Sequence, residues 1–240
     1  RILLLANIHP AVTGFCPGKS VSDNARVHLG RKNVLKVDLH DFFPSIRSPR
    51  VRAAFREMGY SRPIAKVLAE LCCLRCCLPQ GAPTSPALSN IIAYPMDKKM
   101  MALAGEYGLV YTRYADDLTF SGDYLPKDEV LVRIHRIIRE EGFTMNVKKT
   151  RFLSEHKRKI ITGVSVSSGK KMTLPKVKKR EIRKNVHYVL TKGLVGHQEH
   201  IGSTDPVYLK RLLGSLCYWR SIEPDNRYVS DSITALKRLM

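Results

Sequence analysis

Tyr114-Ala115-Asp116-Asp117 sets two adjacent carboxylates between the apolar runs Leu109-Val110-Tyr111-Thr112-Arg113 and Leu118-Thr119-Phe120. Aspartate is depleted in strands, so a pair at the centre of a strand-like stretch opposes local propensity. A tight turn at the tip of a β-hairpin relieves the conflict and exposes both acids. Paired acids repel unless a cation lies between them, and an all-oxygen ligand set suits Mg²⁺. Divalent metals held this way are machinery for displacing pyrophosphate from a nucleotide. The competing reading is a surface hairpin with an ordinary Asp-Asp turn, and these four residues alone favour neither.

A second acid, Asp38, closes the apolar stretch Val34-Leu35-Lys36-Val37-Asp38-Leu39 and is followed by His40-Asp41-Phe42-Phe43-Pro44. An acid in that place points at whatever lies beyond the sheet edge. With Asp116 and Asp117 on a neighbouring hairpin it completes a three-carboxylate cluster able to hold two Mg²⁺ ions. One ion lowers the pKa of an attacking sugar hydroxyl and the other neutralises the leaving pyrophosphate. Asp41 is read as a helix or turn cap rather than a ligand. Between the acids runs Leu78-Pro79-Gln80-Gly81-Ala82-Pro83-Thr84-Ser85-Pro86. Gly81 allows close backbone approach to a ligand and the prolines stiffen the loop. Ser85 is expected to cap a helix with Pro86 at its first position, and Gln80 and Gly81 are placed to contact an incoming nucleotide.

Two other motifs are set aside. Gly14-Phe15-Cys16-Pro17-Gly18-Lys19-Ser20 resembles a phosphate-binding P-loop but has three residues between its glycines where that loop needs four. Pro17 also removes an N–H from the cradle. Of the six cysteines, four crowd into Cys72-Cys73-Leu74-Arg75-Cys76-Cys77. With no second Cys or His pair at matching distance, they read as small buried thiols on a core helix in a reducing cytoplasm, not as zinc ligands.

The elements that must position the acids follow from pattern. A strand is expected over 34–39, helices near 49–58 and 63–76, and one long helix from 87 to about 106. An amphipathic helix over 127–141 ends at Gly142, a suitable C-cap. The order is α+β, with helices against one face of an antiparallel sheet. Short strands over 160–166 and 172–174 should flank a turn at 167–170. From Pro175 the pattern is helical, and residues 176–191 carry Lys176, Arg180, Arg183, Lys184 and His187 on a basic stripe opposite Ile182, Val189 and Leu190. Lys157-Arg158-Lys159 and Lys170-Lys171 add to the same positive potential.

The 240 residues include 41 Lys and Arg against 21 Asp and Glu, a net charge of +20 and a pI near 9.9. Such an excess calls for a polyanionic partner, because each phosphate neutralised releases counterions. No apolar run approaches the roughly 20 residues that span a bilayer, and no signal peptide is visible, so the expected location is the cytoplasm with no membrane partner. The chain starts at Arg1 and runs straight into Ile2-Leu3-Leu4-Leu5, which reads as a fragment lacking early finger elements.

Asp38 with Phe42-Phe43, the stretch from Gln80 to Pro86, and Tyr114-Ala115-Asp116-Asp117 resemble, in order, the signature blocks of reverse transcriptases. Gly142-Phe143-Thr144-Met145-Asn146-Val147-Lys148-Lys149-Thr150 resembles the next palm motif, and Ile161-Thr162-Gly163 is similar to the segment that grips the primer end. Asn24-Ala25-Arg26-Val27-His28 resembles a block typical of bacterial retron enzymes, although Ile161 stands where those enzymes usually have Val. The resemblance implies a right-hand polymerase fold: partial fingers and a palm with an antiparallel sheet over residues 1–174, and a helical thumb over 175–240. It implies an RNA-directed DNA polymerase with Asp38, Asp116 and Asp117 as catalytic metal ligands and the Leu39 carbonyl as a further one. The ions would be two Mg²⁺, with Mn²⁺ as a substitute. Phe43 would bar a ribose 2′-hydroxyl, Gln80 and Gly81 would line the dNTP pocket, and Lys149 would stand near the leaving pyrophosphate. Asn24, His28, Thr162, Gly163, Lys176, Arg180, Arg183 and Lys184 would serve primer and RNA binding. A structured noncoding RNA as template and primer, the nascent DNA, and a separate effector protein in anti-phage defence complete the implied partners. A group II intron or abortive-infection reverse transcriptase, and a non-catalytic RNA-binding protein, are the alternatives.

Overall fold

Alternation along the strands decides which face of the sheet meets the helices. The computed structural model describes Leu3 and residues 6–239, so the apolar start at Ile2, Leu4 and Leu5 lies outside the described residues. Strands β1 (Asn33–Leu39), β2 (Val110–Tyr114), β3 (Asp117–Gly122) and β4 (Met145–Leu153) form one antiparallel sheet in the order β2-β3-β1-β4. Successive side chains point to opposite faces. Leu35, Val37 and Leu39 of β1 therefore join Leu118, Phe120 and Tyr111 in the main core. Packed there are α2 (Phe42–Ser45), α3 (Ser48–Glu57), α4 (Arg62–Cys72), α5 (Ser85–Ile92), α6 (Tyr94–Glu106) and α7 (Lys127–Glu140). The other parity is polar and carries Lys36 and Asp38 opposite Thr119 and Asp117. The α+β class with an antiparallel sheet is as expected, whereas the expectation of helices on one face alone is corrected, since a second set packs on the other.

The polar face is closed at one end by α1 (Val21–Arg26) and by a second apolar cluster. A small ladder of β5 (Ile160–Ile161) and β6 (Val164–Ser165) gives Ile161 and Val164 to it. Helices α8 (Lys176–His200), α9 (Tyr208–Ile222) and α10 (Arg227–Lys237) supply the rest, with Leu216 and Trp219 fully buried. Val34 of β1 and Ala25 of α1 belong to this cluster too, so the sheet is gripped from both sides.

Several local expectations are corrected. The long helix over 87–106 is two helices joined at Ala93, because Pro95 lies in the first turn of α6 and cannot continue the hydrogen-bond ladder. The strand over 160–166 is a hairpin: Thr162 (φ 44°) and Gly163 (φ 81°) take left-handed conformations and reverse the chain. Helix α4 stops at Cys72. The next residues form a tight loop bridged between Leu74 and Cys77, with Arg75 and Cys76 at φ 50° and 61°. Cys76 is exposed and Cys72, Cys73 and Cys77 are half-buried, so the four thiols are not buried on a core helix. Thr84, one residue earlier than expected, is the N-cap of α5, while buried Ser85 donates to the Pro79 carbonyl at 2.7 Å. Asp41 does occupy the N-cap of α2 but makes no capping hydrogen bond, pairing with His40 at 3.1 Å. On α8, Ile182 and Val189 are buried as expected, whereas Leu190 is 45% exposed.

Candidate active site

The Tyr114–Asp117 reversal joins β2 to β3, with Tyr114 and Asp117 paired across the ladder. Ala115 adopts φ 57°, a left-handed conformation that costs a non-glycine residue about 1–2 kcal/mol. Register places Asp117 directly opposite Asp38 of β1. The Leu39 amide donates to the Asp116 carbonyl at 3.0 Å, fixing the end of β1 to the turn. Three carboxylates thus meet at one corner of the polar face: Asp38 is 8% exposed, and Asp116 and Asp117 are half-buried.

Lys149 reaches this corner through a bulge. Between the pairs Lys36–Arg151 and Asp38–Asn146 the register shifts, and β4 carries residues 147–150 out of the ladder. The Lys149 amide donates to Asn146 Oδ1 (3.3 Å) and the Thr150 hydroxyl to the Asn146 carbonyl (2.9 Å), closing the bulge. Bulges re-aim side chains; here Lys149 Nζ comes to lie 3.3 Å from Asp38 Oδ2. That contact pushes the Lys149 ammonium pKa up. Burial raises the Asp116 carboxyl above the usual range, with the Asp117 and Asp38 charges adding to it. Burial raises Asp117 as well, Lys36 opposing and Asp38 reinforcing.

These residues fit a hard divalent cation. The donors are all oxygens, and Asp38 Oδ1 is buried without any hydrogen-bond partner. An orphaned carboxylate oxygen inside a protein is costly and wants a cation. Among the described residues no three His, Cys, Asp or Glu side chains are already drawn to one metal-binding point. Of the three carboxylates, Asp38 is met by the Lys149 ammonium.

Around the acids, Phe43 is half-buried, 5.6 Å from the Phe42 ring and 6.2 Å from Phe15. Phe15 in turn lies 6.2 Å from Tyr114. Sequence reasoning missed Phe15 and Gly14, seeing them only as part of the rejected P-loop. A Cβ on Gly14 would stand 2.6 Å from the Ala115 amide nitrogen, so the loop packs on the acid turn itself. The P-loop-like lysine is spent on that loop, since Lys19 Nζ donates to the Pro10 and Val12 carbonyls at 2.9 and 2.8 Å. Gln80 and Gly81 are exposed on the loop before α5, Gly81 at φ 88° with open space where a Cβ would stand.

Asn24 and His28 lie in the interior. Asn24 Oδ1 accepts from the Thr13 hydroxyl (2.8 Å) and its amide faces Thr162 Oγ1 (3.4 Å). The His28 ring bridges the Ser121 and Thr112 hydroxyls at 2.7 and 2.8 Å. Both side chains hold elements together and neither offers a free face to a ligand. The Thr162-Gly163 turn is tied to α1 by the Thr162 hydroxyl on the Val21 carbonyl (3.1 Å), and Gly163 lies against the Tyr218 hydroxyl of α9. Lys176, Arg180, Arg183 and Lys184 are exposed on α8. Arg183 also stacks over Trp219 and Tyr228, at 5.5 and 5.0 Å.

A model of the family described as reverse transcriptase (RNA-dependent DNA polymerase) matches residues 1–188. The chain belongs to the reverse transcriptase family, and its α+β fold is that family's right-hand polymerase fold. The retron Ec86 reverse transcriptase of Escherichia coli is 39% identical over 194 residues, covering 80% of this chain and 60% of its own. The retron Mx65 reverse transcriptase of Myxococcus xanthus is 36% identical over 238 residues, covering 91% of this chain and 53% of its own. This chain therefore spans little more than half the length of these curated relatives. A telomerase structure from Candida albicans overlays with a TM-score of 0.44 at 12% identity, covering 91% of this chain and 48% of that one. Among the described residues no helix is long and apolar enough to cross a membrane.

Proposed function

We propose that this chain is the polymerising part of a retron-type RNA-directed DNA polymerase, with fingers and palm over residues 1–174 and a thumb over 175–240. The observation that carries the reading is Asp38 Oδ1, buried, unpartnered and on the strand directly across from Asp117. Asp38, Asp116 and Asp117, with the Leu39 carbonyl, would hold two Mg²⁺ ions, for which Mn²⁺ would substitute. Bound there, such ions neutralise the triphosphate and acidify the attacking hydroxyl. Phe43, braced by Phe42 and Phe15, presents an aromatic edge that excludes a ribose 2′-hydroxyl by shape. Gln80 and Gly81 line the incoming dNTP, Gly81 letting backbone approach closely. Lys149 keeps a proton at Nζ beside the site, where a departing pyrophosphate would take it. The Thr162-Gly163 turn supports the primer end, and Lys176, Arg180, Arg183 and Lys184 follow the backbone without reading sequence.

Similarity to retron enzymes supports a structured noncoding RNA as template and primer, synthesis from an RNA 2′-hydroxyl, and a separate effector protein in cytoplasmic anti-phage defence. Asn24 and His28 support RNA binding through the elements they hold. Primer extension on an RNA template with Mg²⁺ tests the chemistry. Wild-type chain is expected to extend, and Asp116→Asn/Asp117→Asn to abolish extension while leaving RNA affinity intact. Extension that survives the double substitution would sink the mechanism.

A further inference from the structure

We propose that Arg113, Asp97 and Asn90 form a buried pedestal that sets the conformation of the acid turn, making Arg113 and Asn90 positioning residues for the cation site at Asp116 and Asp117. The proposal rests on the polymerase reading above. Arg113 lies on β2 one residue before Tyr114, on the sheet face turned towards the helices, and is fully buried. Its Nε and Nη2 donate to Asp97 Oδ1 and Oδ2 on α6 at 2.8 and 2.7 Å. The planar fork leaves Nη1 aimed upward, where it donates to Asn90 Oδ1 on α5 (3.1 Å) and to the Ala115 carbonyl (3.0 Å). The Asn90 amide donates in turn to the Gly14 carbonyl at 2.9 Å. Asp97 Oδ1 also accepts from the Tyr111 hydroxyl at 2.8 Å.

Stability alone does not account for this arrangement. A buried ion pair contributes little net stability compared with well-packed apolar residues of the same volume. What apolar residues cannot do is hold a carbonyl. Ala115 is the strained residue of the turn, gripped at its carbonyl by Arg113 while Gly14 abuts its amide from the other side. Strained backbone persists where its surroundings over-determine it. The direction in which the Asp116 and Asp117 carboxylates leave the turn follows from that grip. Arginine is required because a lysine could meet the charge of Asp97 but not three directions at once.

The test compares Arg113→Lys and Asn90→Ala in the full chain. The first keeps a positive charge against Asp97 and loses the Ala115 and Asn90 bonds; the second leaves the ion pair untouched. Mn²⁺ affinity of the RNA-bound chain is read by electron paramagnetic resonance without nucleotide, beside melting temperature, RNA affinity and Mg²⁺ titration of primer extension. Both variants are expected to bind Mn²⁺ about 10–100-fold more weakly, with RNA affinity unchanged and part of the lost extension rate recovered at high metal. Should Arg113→Lys fail to fold, Asn90→Ala carries the same expectation. Folded variants with wild-type Mn²⁺ affinity overturn the pedestal, whatever their melting temperature. The Mn²⁺ readout needs no turnover, so a wild-type chain that binds Mn²⁺ but never extends a primer removes the polymerase reading and not the pedestal.

Discussion

His28 is neutral in the folded chain and charged at mildly acid pH once unfolded. Burial lowers its pKa from 6.5 to about 3, and the nearby Arg31 charge adds to the shift. Between those values the unfolded state binds one more proton, so stability falls as pH falls, by about 1.4 kcal/mol per pH unit. Chemical denaturation of wild type and His28→Gln from pH 7 to 5 checks this: the wild type should show the steeper loss. Equal slopes would mean that the imidazole is not held neutral between Ser121 and Thr112. At this scale the acids were legible in the sequence, because two aspartates in a strand pattern conflict with propensity and the conflict has few resolutions. The role of His28 was not, since nothing in its spacing from Asn24 reveals hydroxyls on two strands about ninety residues away. Phe15 was hidden for a related reason: its aromatic neighbours, Phe43 and Tyr114, come from two separate segments.

Elements were read well where one periodicity ruled and poorly where two short pieces abut. Helix α7 and the left-handed Gly142 (φ 73°) just past its Glu141 C-cap match expectation almost to the residue. The hairpin at Thr162-Gly163 was missed because a threonine at φ 44° leaves no sign in a β-branched run. Helix α8 was legible as a basic stripe, and its exposed residues differ in what they do for the fold. Among the described residues Lys176, Arg180 and Lys184 have no ion-pair partner, whereas Lys179 pairs with Glu223 at 2.6 Å and Arg183 stacks on Trp219 and Tyr228. Replacing Lys176, Arg180 and Lys184 together by Gln should lower the slope of log affinity for RNA against log salt by about 2–3. Folding stability should stay within about 0.5 kcal/mol of wild type. An unchanged salt slope would remove this face from the nucleic-acid path.

Across the whole molecule, two apolar clusters sandwich one sheet, and the second also contains the hairpin bearing Thr162 and Gly163. Leu216→Ala, at a fully buried position on α9 far along the chain from Asp38, Asp116 and Asp117, should therefore cost about 2–5 kcal/mol. Its primer extension should suffer along with its stability; calorimetry and extension assays on the same preparation check both. A variant destabilised to that degree with full extension would show that α8 to α10 do not support the site. The cluster of Asp38, Asp116 and Asp117 was legible in the sequence, but only the fold reveals that a lysine is ion-paired to one of its members. Through the bulge on β4 the molecule carries its own counter-ion, Lys149 standing over Asp38 at 3.3 Å. Chelating divalent ions should then stop synthesis while the chain stays folded at about 25 °C, and restoring Mg²⁺ should return full activity; unfolding on chelation, followed by circular dichroism, would refute this. Lys149 answers only one of the three carboxylates, so the corner keeps a negative surplus that its single ammonium cannot cancel.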